Sequence, residues 1–231
     1  MRLSYIVAVL FLLNACATGT AESTTPEERV ASAVPQKSAE RLRDEQQRPQ
    51  EVIALMGGDL NGITIADLFA GDGYFTFKMI EAGANVIAID SDPANIAKLE
   101  ARRKALQLPE ERLKIRAVPV GDPGLQLEEV DMALIVHHFP LIADRKAYFD
   151  RLRLSMRYPR PVFMVEWLYE ESQVGPPMSD RMPIEGIMDE IGLLGFADVG
   201  AHSAKIPGQV IFIATDYVEY NEDGTLIQPT Q

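Results

Sequence analysis

The stretch ITIADLFAGDGYFTFKMIEAGANVIAID, residues 63–90, decides the fold of this chain. Its apolar opening predicts a strand over 64–69, and a glycine turn and a helix over 74–82 follow it. A second apolar segment, 86–90, ends on the carboxylate of Asp90. Strand, turn, helix and strand in this order form half of a nucleotide-binding βαβ unit.

The glycines of the turn indicate which kind of nucleotide could bind there. Gly71 and Gly73 permit a tight turn and a close approach of the backbone to a ligand. A dinucleotide fingerprint needs a further glycine, but the chain has Thr76 there, and it lacks a Gly-Lys-Ser/Thr phosphate loop. Asp90 is placed to accept hydrogen bonds from both ribose hydroxyls. The pattern therefore favours a nucleoside without a pyrophosphate, namely S-adenosylmethionine. The alternative is a plain strand-to-helix turn that Asp72 caps.

Strands and helices alternate along the rest of residues 39–218. Further strands are predicted at 113–118, 130–137, 161–167, 197–204 and 209–215, and helices at 39–56 (interrupted near Pro49), 92–106, 144–158 and 183–194. Several strands are apolar without alternation, as expected where both faces of a sheet are covered. The sequence predicts an α/β fold: a Rossmann-like, doubly wound sheet of seven strands, mostly parallel with an antiparallel last strand, and helices on both faces.

The first residues, MRLSYIVAVLFLLNAC, are typical of a bacterial export signal. Arg2 precedes an apolar run over 5–13, which is shorter than the roughly 20 residues that span a bilayer. Cys16 is the only cysteine, and the preceding Leu-Asn-Ala resembles a lipobox, in which the cysteine is lipidated. We therefore expect a lipoprotein that is exported and anchored to the periplasmic side of a bacterial membrane.

These features divide the chain into four parts. The predicted parts are a signal peptide at 1–15, the lipidated cysteine with a disordered tether at 16–38, the folded domain at 39–218 and a polar, frayed tail at 219–231. The tether is rich in Thr, Ser, Ala, Glu and Pro and has no sustained apolar period.

The net charge of the chain is −12, which argues against nucleic acid as a partner. Clusters of Lys and Arg do occur at 98–104 and 145–157, and we interpret them as the solvated faces of predicted helices. No cluster of His and Cys suggests a metal site, so no metal is expected.

Four short motifs carry a family resemblance. They are Arg-Asp-Glu-Gln-Gln-Arg-Pro at 43–49, Tyr-Phe-Thr at 74–76, the histidine pair at 137–138, and Val-Gly-Pro-Pro at 174–177. With them, about residues 39–215 resemble bacterial class I S-adenosylmethionine-dependent methyltransferases, and most closely a set of small, often exported members of unassigned substrate. The resemblance implies the seven-stranded fold and S-adenosylmethionine as cofactor.

The resemblance also implies roles for single residues. Asp67 would fix the cofactor loop and the methionine amine, Asp90 would hold the ribose with Ser91 beside it, and Asp122 would lie near the adenine. The methionyl and ribose parts would be lined by Ala70, Gly71, Asp72 and Gly73, and the cofactor-binding set further includes His137.

Three positions depart from the family pattern. Phe69 stands at the first glycine position, and Gln46 stands about where a tryptophan is usual. The usual Lys-Pro-Gly-Gly turn before the fifth strand is replaced by residues 157–160, Arg-Tyr-Pro-Arg. None of these changes removes the pairing of Asp67 with Asp90.

Methyl transfer from a sulfonium mainly requires alignment and exclusion of water. A base is needed only if the acceptor carries a proton, and the candidates near the carboxyl ends of the strands are His137, His138 and Glu166. We favour His138 as the catalytic residue. In the alternative, one histidine packs against the cofactor and the other caps the next helix, while His202 is structural.

The sequence thus supports two hypotheses. The first is a membrane-tethered, S-adenosylmethionine-dependent methyltransferase that acts on a small molecule. His-His-Phe-Pro at 137–140 replaces the Asn/Asp-Pro-Pro-aromatic motif of aminomethylating enzymes, which disfavours nucleic-acid bases and exocyclic amines. The second is a non-catalytic ligand-binding module of the same fold, because an exported domain has no obvious supply of a charged cytosolic cofactor.

Overall fold

The computed structural model describes residues 38–216 and 219–227. The predicted signal peptide, Cys16 and nearly all of the predicted tether lie outside the described residues.

The domain begins with two short helices, α1 (Ala39–Gln47) and α2 (Pro49–Leu55). Arg48 separates them with a left-handed backbone, φ 40°. Proline disfavours the helical conformation for the residue before it but suits the first position of a new helix. The interruption predicted near Pro49 is therefore confirmed.

Seven strands and four further helices alternate after α2. They are β1 (Thr64–Leu68), α3 (Tyr74–Glu81), β2 (Asn85–Asp90), α4 (Pro93–Ala105), β3 (Leu113–Ala117), β4 (Met132–Val136), α5 (Arg145–Leu154), β5 (Val162–Trp167), α6 (Ile184–Leu193), β6 (Asp198–Ile206) and β7 (Gln209–Thr215). Short 3₁₀ turns lie at Phe139–Leu141 and Met178–Asp180.

The strands form one sheet in the order β3-β2-β1-β4-β5-β7-β6. The pairs among β1 to β5 are parallel, and β7 is antiparallel to both β5 and β6. The predicted doubly wound sheet with an antiparallel last strand is confirmed. The order reverses between β1 and β4, and in open α/β sheets such a switch point is where the carboxyl ends of the strands bind ligands.

Two hydrophobic clusters cover the two faces of the sheet. Successive residues of β1 point to opposite faces, so Ile65 packs with α2, α3 and α4, whereas Ala66 packs with α5 and α6. Both residues are fully buried. The apolar, non-alternating sequence of the central strands follows from this burial on both faces.

Most predicted elements agree with the structure to within a residue or two at each end. β4 ends at Val136 because His137 takes a left-handed backbone, φ 56°. The helix predicted over 144–158 ends earlier, at Leu154 with Ser155 as its C-cap, and Met156 then forms a parallel bridge with Val130.

The C-terminal segment differs from the frayed tail that the sequence suggested. Within the described residues 219–227, Glu219–Tyr220 pairs antiparallel with Leu226–Ile227. The Asn221 backbone N–H donates to the Thr225 carbonyl at 2.8 Å and closes the turn between them.

Among the described residues, no helix has both the length and the apolar character that crossing a membrane requires.

Candidate functional site

The glycine turn after β1 is tied to the end of β2 by one carboxylate. Asp90 accepts the backbone N–H of Gly71 on Oδ2 at 2.8 Å. Its Oδ1 accepts the backbone N–H of Asp92 at 2.8 Å and the side-chain amide of Asn95 at 3.3 Å. The buried carboxylate thus holds the turn, the end of β2 and the start of α4 in one fixed arrangement.

Gly71 and Gly73 have different functions in the turn, although both have positive φ, 59° and 82°. A Cβ at Gly73 would lie 2.5 Å from Leu99 and 2.8 Å from Phe77, so packing requires this glycine. A Cβ at Gly71 would meet nothing within 4 Å. Gly71 therefore borders open space, where a ligand could approach the backbone closely.

Three adjoining cavities surround this turn at the carboxyl ends of the strands. Cavity A, of about 530 Å³, is lined by Phe69, Gly71, Asp90, Ser91, Asp92, Asn95, Val120, Gly121, His138, Leu141, Ile142, Ala143, Asp144, Ala147 and Arg151. Cavity B, of about 290 Å³, is lined by His137, Pro140, Leu141, Glu166, Trp167, Pro176, Asp180, Arg181, Met182 and Ile187. Cavity C, of about 240 Å³, is lined by Arg43, Gln47, Asp67, Phe69, Ala70, Gly71, Asp72, Tyr74, Phe75, Val136, His137 and His138.

The three cavities adjoin one another, because several residues line two of them. Phe69, Gly71 and His138 line both A and C, His137 lines both B and C, and Leu141 lines both A and B. Cavities A and C therefore meet at the glycine turn, C adjoins B at His137, and A adjoins B at Leu141.

Most residues predicted to bind the cofactor come together here. Gly71, Asp90 and Ser91 line cavity A, and Asp67, Ala70, Gly71, Asp72 and His137 line cavity C.

Two predicted residues lie elsewhere. Gly73 packs against α3 and α4, and Asp122 is exposed, where its carboxylate accepts the Gly124 backbone N–H at 2.9 Å. The neighbouring Val120 and Gly121 line the cavity instead. A carboxylate two residues before a glycine favours such a local turn, and this signal is present in the sequence.

Phe69, which stands at the usual glycine position, has the left-handed backbone that glycine adopts without strain, φ 59°. Its ring stacks on His138 at 4.4 Å between centroids and on Tyr148 at 5.8 Å. The aromatic contacts compensate for an unfavourable backbone conformation and hold the His138 imidazole in place.

His138 is a neutral imidazole with a defined tautomer. Its Nδ1 lies 3.4 Å from the Val136 carbonyl and donates to it, so Nε2 carries the lone pair. Burial lowers the pKa of His138. The side chain does not cap the following 3₁₀ turn, so the alternative in which a histidine caps the next element is not supported for this residue.

The side chain of His137 lies between cavities B and C and does not line cavity A. Its ring stacks on Trp167 at 4.6 Å, and its Nε2 lies 2.9 Å from Oε1 of Gln209. The Gln209 amide nitrogen donates to the Gln46 carbonyl at 3.2 Å, so its oxygen faces His137 and Nε2 of His137 carries the proton. Burial lowers the pKa of His137 to about 4.

Asp67 is buried beneath the turn and accepts the hydroxyl of Thr76. Burial, reinforced by the nearby Asp90, raises the pKa of Asp67 to about 7. Thr76, the residue that excluded a dinucleotide fingerprint, therefore supports the buried carboxyl of the first strand.

Helix α1 borders cavity C through charged side chains. Arg43 forms an ion pair with Asp72 at 2.5 Å and lies over the Tyr74 ring at 4.1 Å from its centroid. The Tyr74 hydroxyl donates to Asp44 at 2.5 Å. No residue of α1 is buried. The helix is thus attached mainly by polar contacts, a feature that the 43–49 motif did not reveal.

Asp72 also accepts the Tyr74 backbone N–H at 3.3 Å. The N-cap residue of α3 is Gly73, however, and no side chain caps this helix, so the alternative in which Asp72 caps it is wrong. The turn contact and the lining of cavity C coexist at Asp72 because its two oxygens have different partners.

Cavity B contains a buried carboxyl, Glu166, which is 3% exposed. Glu166 Oε1 accepts the Phe139 backbone N–H at 2.9 Å. Burial raises the pKa of Glu166 to about 8, so the neutral form dominates at neutral pH.

Side chains that could ligate a metal are dispersed. Within residues 38–216 and 219–227, no group of three or more His, Cys, Asp or Glu side chains is arranged to hold a metal ion.

The sequence matches no protein-family model, and no curated protein is significantly similar to it. Solved structures share its fold. A SAM-dependent methyltransferase from Aquifex aeolicus is 18% identical with a TM-score of 0.68, and the match covers 76% of this chain and 93% of that one. An S-adenosylmethionine-dependent methyltransferase from Mesorhizobium loti is 14% identical with a TM-score of 0.57, covering 72% and 97%.

A third neighbour carries ligands. The phosphoethanolamine N-methyltransferase 2 of Haemonchus contortus, in complex with phosphomonomethylethanolamine and S-adenosylhomocysteine, is 12% identical with a TM-score of 0.60. The match covers 74% of this chain and 52% of that one. The chain therefore has the Rossmann-like fold of these methyltransferases.

Proposed function

We propose that this chain binds S-adenosylmethionine across cavities A and C and transfers its methyl group to a small-molecule acceptor in cavity B. The observation that carries the proposal is the open space at Gly71, which borders both A and C beside the Asp90 carboxylate. A backbone without a side chain at this junction admits a ligand that extends through both cavities. The methyltransferase fold supports the same reading.

Cavity A suits the adenosine part of this cofactor. Its volume of about 530 Å³ lies within the range of small-ligand sites. Val120 and Ile142 supply apolar wall, and Asp90 supplies the carboxylate. Asp90 Oδ2 accepts one N–H group and retains a lone pair for a ribose hydroxyl.

Cavity C suits the amino-acid end. An α-ammonium and an α-carboxylate need groups of both signs, and the cavity offers Asp67 and Asp72 together with Arg43. When bound, a sulfonium supplies an activated methyl group and leaves as a neutral thioether. The contribution of the protein is alignment, exclusion of water and, for a protonated acceptor, a base.

Calorimetry with S-adenosylhomocysteine tests cofactor binding to the purified full-length chain. We expect saturable heat with the wild type and weaker binding by Gly71→Ala, whose added Cβ enters the junction of A and C. Absence of heat with the wild type would overturn the proposal.

The alternative is a non-catalytic binding module of the same fold, and one observation favours it. The stacked rings of Phe69 and His138 line both A and C at the junction. Incubation with radiolabelled S-adenosylmethionine and a lipid and metabolite extract distinguishes the two. Transfer of label to an extract component supports the enzyme, and cofactor binding without transfer supports the module.

A membrane tether through a lipidated Cys16, on the periplasmic side, is part of the proposal and rests on the sequence. Mass spectrometry of the isolated protein should find acyl chains on Cys16. Cys16→Ser should release the protein from the membrane fraction, and an unmodified cysteine would refute the tether.

A further inference from the structure

Cavity B is small and largely apolar. Its apolar wall consists of Pro140, Leu141, Trp167, Pro176, Met182 and Ile187. With a volume of about 290 Å³, it lies at the lower end of the range for small-ligand sites. An apolar wall around a volume of this size suits a ligand with a single small ring.

Arg181 is the only Arg or Lys among the residues that line cavity B, and its hydrogen-bond donors are already used. Nε donates to the Pro176 carbonyl, Nη1 to those of Leu168 and Glu170, and Nη2 to those of Val174 and Pro176, at 2.8 to 3.0 Å. A guanidinium has five N–H donors, and these five bonds occupy them. Arg181 therefore folds the loop after β5 and has no N–H left for a phosphate or carboxylate.

Because Arg181 has no free donor, Glu166 is the polar side chain of cavity B that we consider as a partner for a ligand. The Phe139 backbone N–H donates to its carboxyl at 2.9 Å. A carboxylate has about four acceptor positions, so positions remain for a ligand. Among the described residues Glu166 forms no ion pair. Cavity B therefore offers an anionic ligand no free cation, and the Glu166 carboxylate that forms near pH 8 repels such a ligand.

We propose that cavity B binds a small, uncharged aromatic alcohol whose hydroxyl group donates a hydrogen bond to Glu166. The inference rests on the proposed function, in which that hydroxyl oxygen is the methyl acceptor and its proton passes to the Glu166 carboxylate. Glu166, rather than His138, is then the proton-accepting residue, since His138 lines A and C but not B.

Four charged or titratable residues lie around Glu166. They are His137 and His138 at the end of β4, and Asp180 and Arg181 on the segment after β5. Burial lowers the pKa of both histidines, so they stay neutral above pH 7. Asp180 is exposed to solvent, and the N–H donors of Arg181 face backbone carbonyl groups.

Trp167 makes the inference testable without catalysis. It is the only tryptophan of the chain, and it lines cavity B, so its fluorescence reports on this cavity alone. Phenol, benzoate and phenyl phosphate share one ring and differ in charge. We expect phenol to cause a saturable change in fluorescence, with a Kd at least about tenfold lower than for either anion.

The pH dependence of phenol binding tests Glu166. Phenol stays neutral below about pH 10, whereas the Glu166 carboxylate forms near pH 8 and accepts hydrogen bonds more strongly than the neutral acid. Wild-type affinity for phenol should rise about tenfold from pH 6.5 to 9. Glu166→Gln should show less than a twofold change, and Asp122→Asn, an exposed carboxyl outside cavity B, should retain the rise.

Gly175→Ala gives a second test that leaves Glu166 in place. Its Cβ would lie 2.6 Å from the Trp167 ring, with φ +87°, whereas Gly58→Ala has a similar φ, +78°, and open space. Phenol binding should weaken in Gly175→Ala and persist in Gly58→Ala.

The outcomes separate this inference from the proposed function. Preferred binding of benzoate or phenyl phosphate, or the same pH dependence in Glu166→Gln as in the wild type, overturns the inference. Loss of phenol binding with intact binding of S-adenosylhomocysteine overturns the inference alone. Phenol binding without S-adenosylhomocysteine binding retains the site and overturns the proposed function.

Discussion

Cavities A and B contain carboxylates in contrasting environments. In cavity A, Asp90 accepts two backbone N–H groups and one side-chain amide, all from residues within the stretch 71–95. In cavity B, Glu166 accepts the backbone N–H of the distant Phe139, and the nearby Arg181 directs its donors to carbonyl groups. A carboxylate that accepts several hydrogen bonds from nearby backbone N–H groups holds those segments in a fixed arrangement. A buried carboxyl without a cationic partner has a raised pKa and can therefore change its charge near neutral pH.

The largest expected effect concerns cavity B and the pH dependence of stability. Because the folded-state pKa of Glu166, about 8, exceeds its ordinary value of 4.5, the folded protein binds the extra proton between these values. Stability from this group is therefore present below pH 4.5 and is lost as the pH rises to 8. Between pH 4.5 and 9, wild type should lose on the order of 3–5 kcal/mol relative to Glu166→Gln.

Urea unfolding of both proteins across this pH range measures the difference directly. Asp67 titrates in both proteins, so its contribution to the free energy of unfolding cancels in the difference between them. Parallel curves would show that Glu166 is ionised at neutral pH and would remove the contrast between the two cavities.

The next largest effect is the loss of stability on replacing Gly73, which should exceed the loss on replacing Gly71. Gly73→Ala should destabilise the fold by about 2–4 kcal/mol, since its Cβ overlaps Leu99 and Phe77 and its backbone is left-handed. Gly71→Ala should cost only about 1 kcal/mol of stability because its Cβ meets open space.

Denaturant unfolding and calorimetry together check this pair. Gly71→Ala, although the more stable of the two, should be the one that weakens S-adenosylhomocysteine binding. Equal losses of stability would mean that the turn does not distinguish packing from ligand approach.

A smaller effect is expected for the ribose position. Asp90→Ala should weaken S-adenosylhomocysteine binding by about 1–3 kcal/mol through lost charge-assisted hydrogen bonds. Asp122→Ala is the matched control, because Asp122 is exposed and does not line the cavity. Unchanged calorimetric affinity of Asp90→Ala would refute the ribose assignment and leave Asp90 only its role in holding the turn.

The smallest effect concerns the edge of cavity C. Arg43 and Asp72 are 40% and 46% exposed, so Arg43→Met should change stability by less than about 1 kcal/mol, and less again at high salt. Thermal unfolding at two salt concentrations tests this. A loss above about 2 kcal/mol would show that α1 is an integral part of the core rather than a peripheral helix.

The lining of cavities A and C could be predicted from sequence because its signals are local. Asp67, Gly71 and Asp90 lie within one strand-turn-helix-strand unit, whose geometry fixes their positions once the strands pair. Gly73 and Asp122 were predicted to line the site but do not line cavity A or C. The spacing of residues in a sequence identifies a turn, but it does not show which atoms of the turn face a neighbouring helix or the solvent.

Cavity B could be predicted only in part. Glu166 was recognised as a candidate base from its place at the end of a strand, but His138 was preferred. Burial and donor saturation, which distinguish Glu166 and Arg181, depend on contacts between segments far apart in the chain.

The sequence by itself determined the alternation of strands and helices, the glycine turn and the carboxylate at the end of β2, because hydrophobic period and turn chemistry act over a few residues. Only the tertiary structure decided which glycine borders open space, which carboxyl is buried and which arginine has no donor left. Those properties arise where distant segments exclude water together, and no local pattern encodes that exclusion.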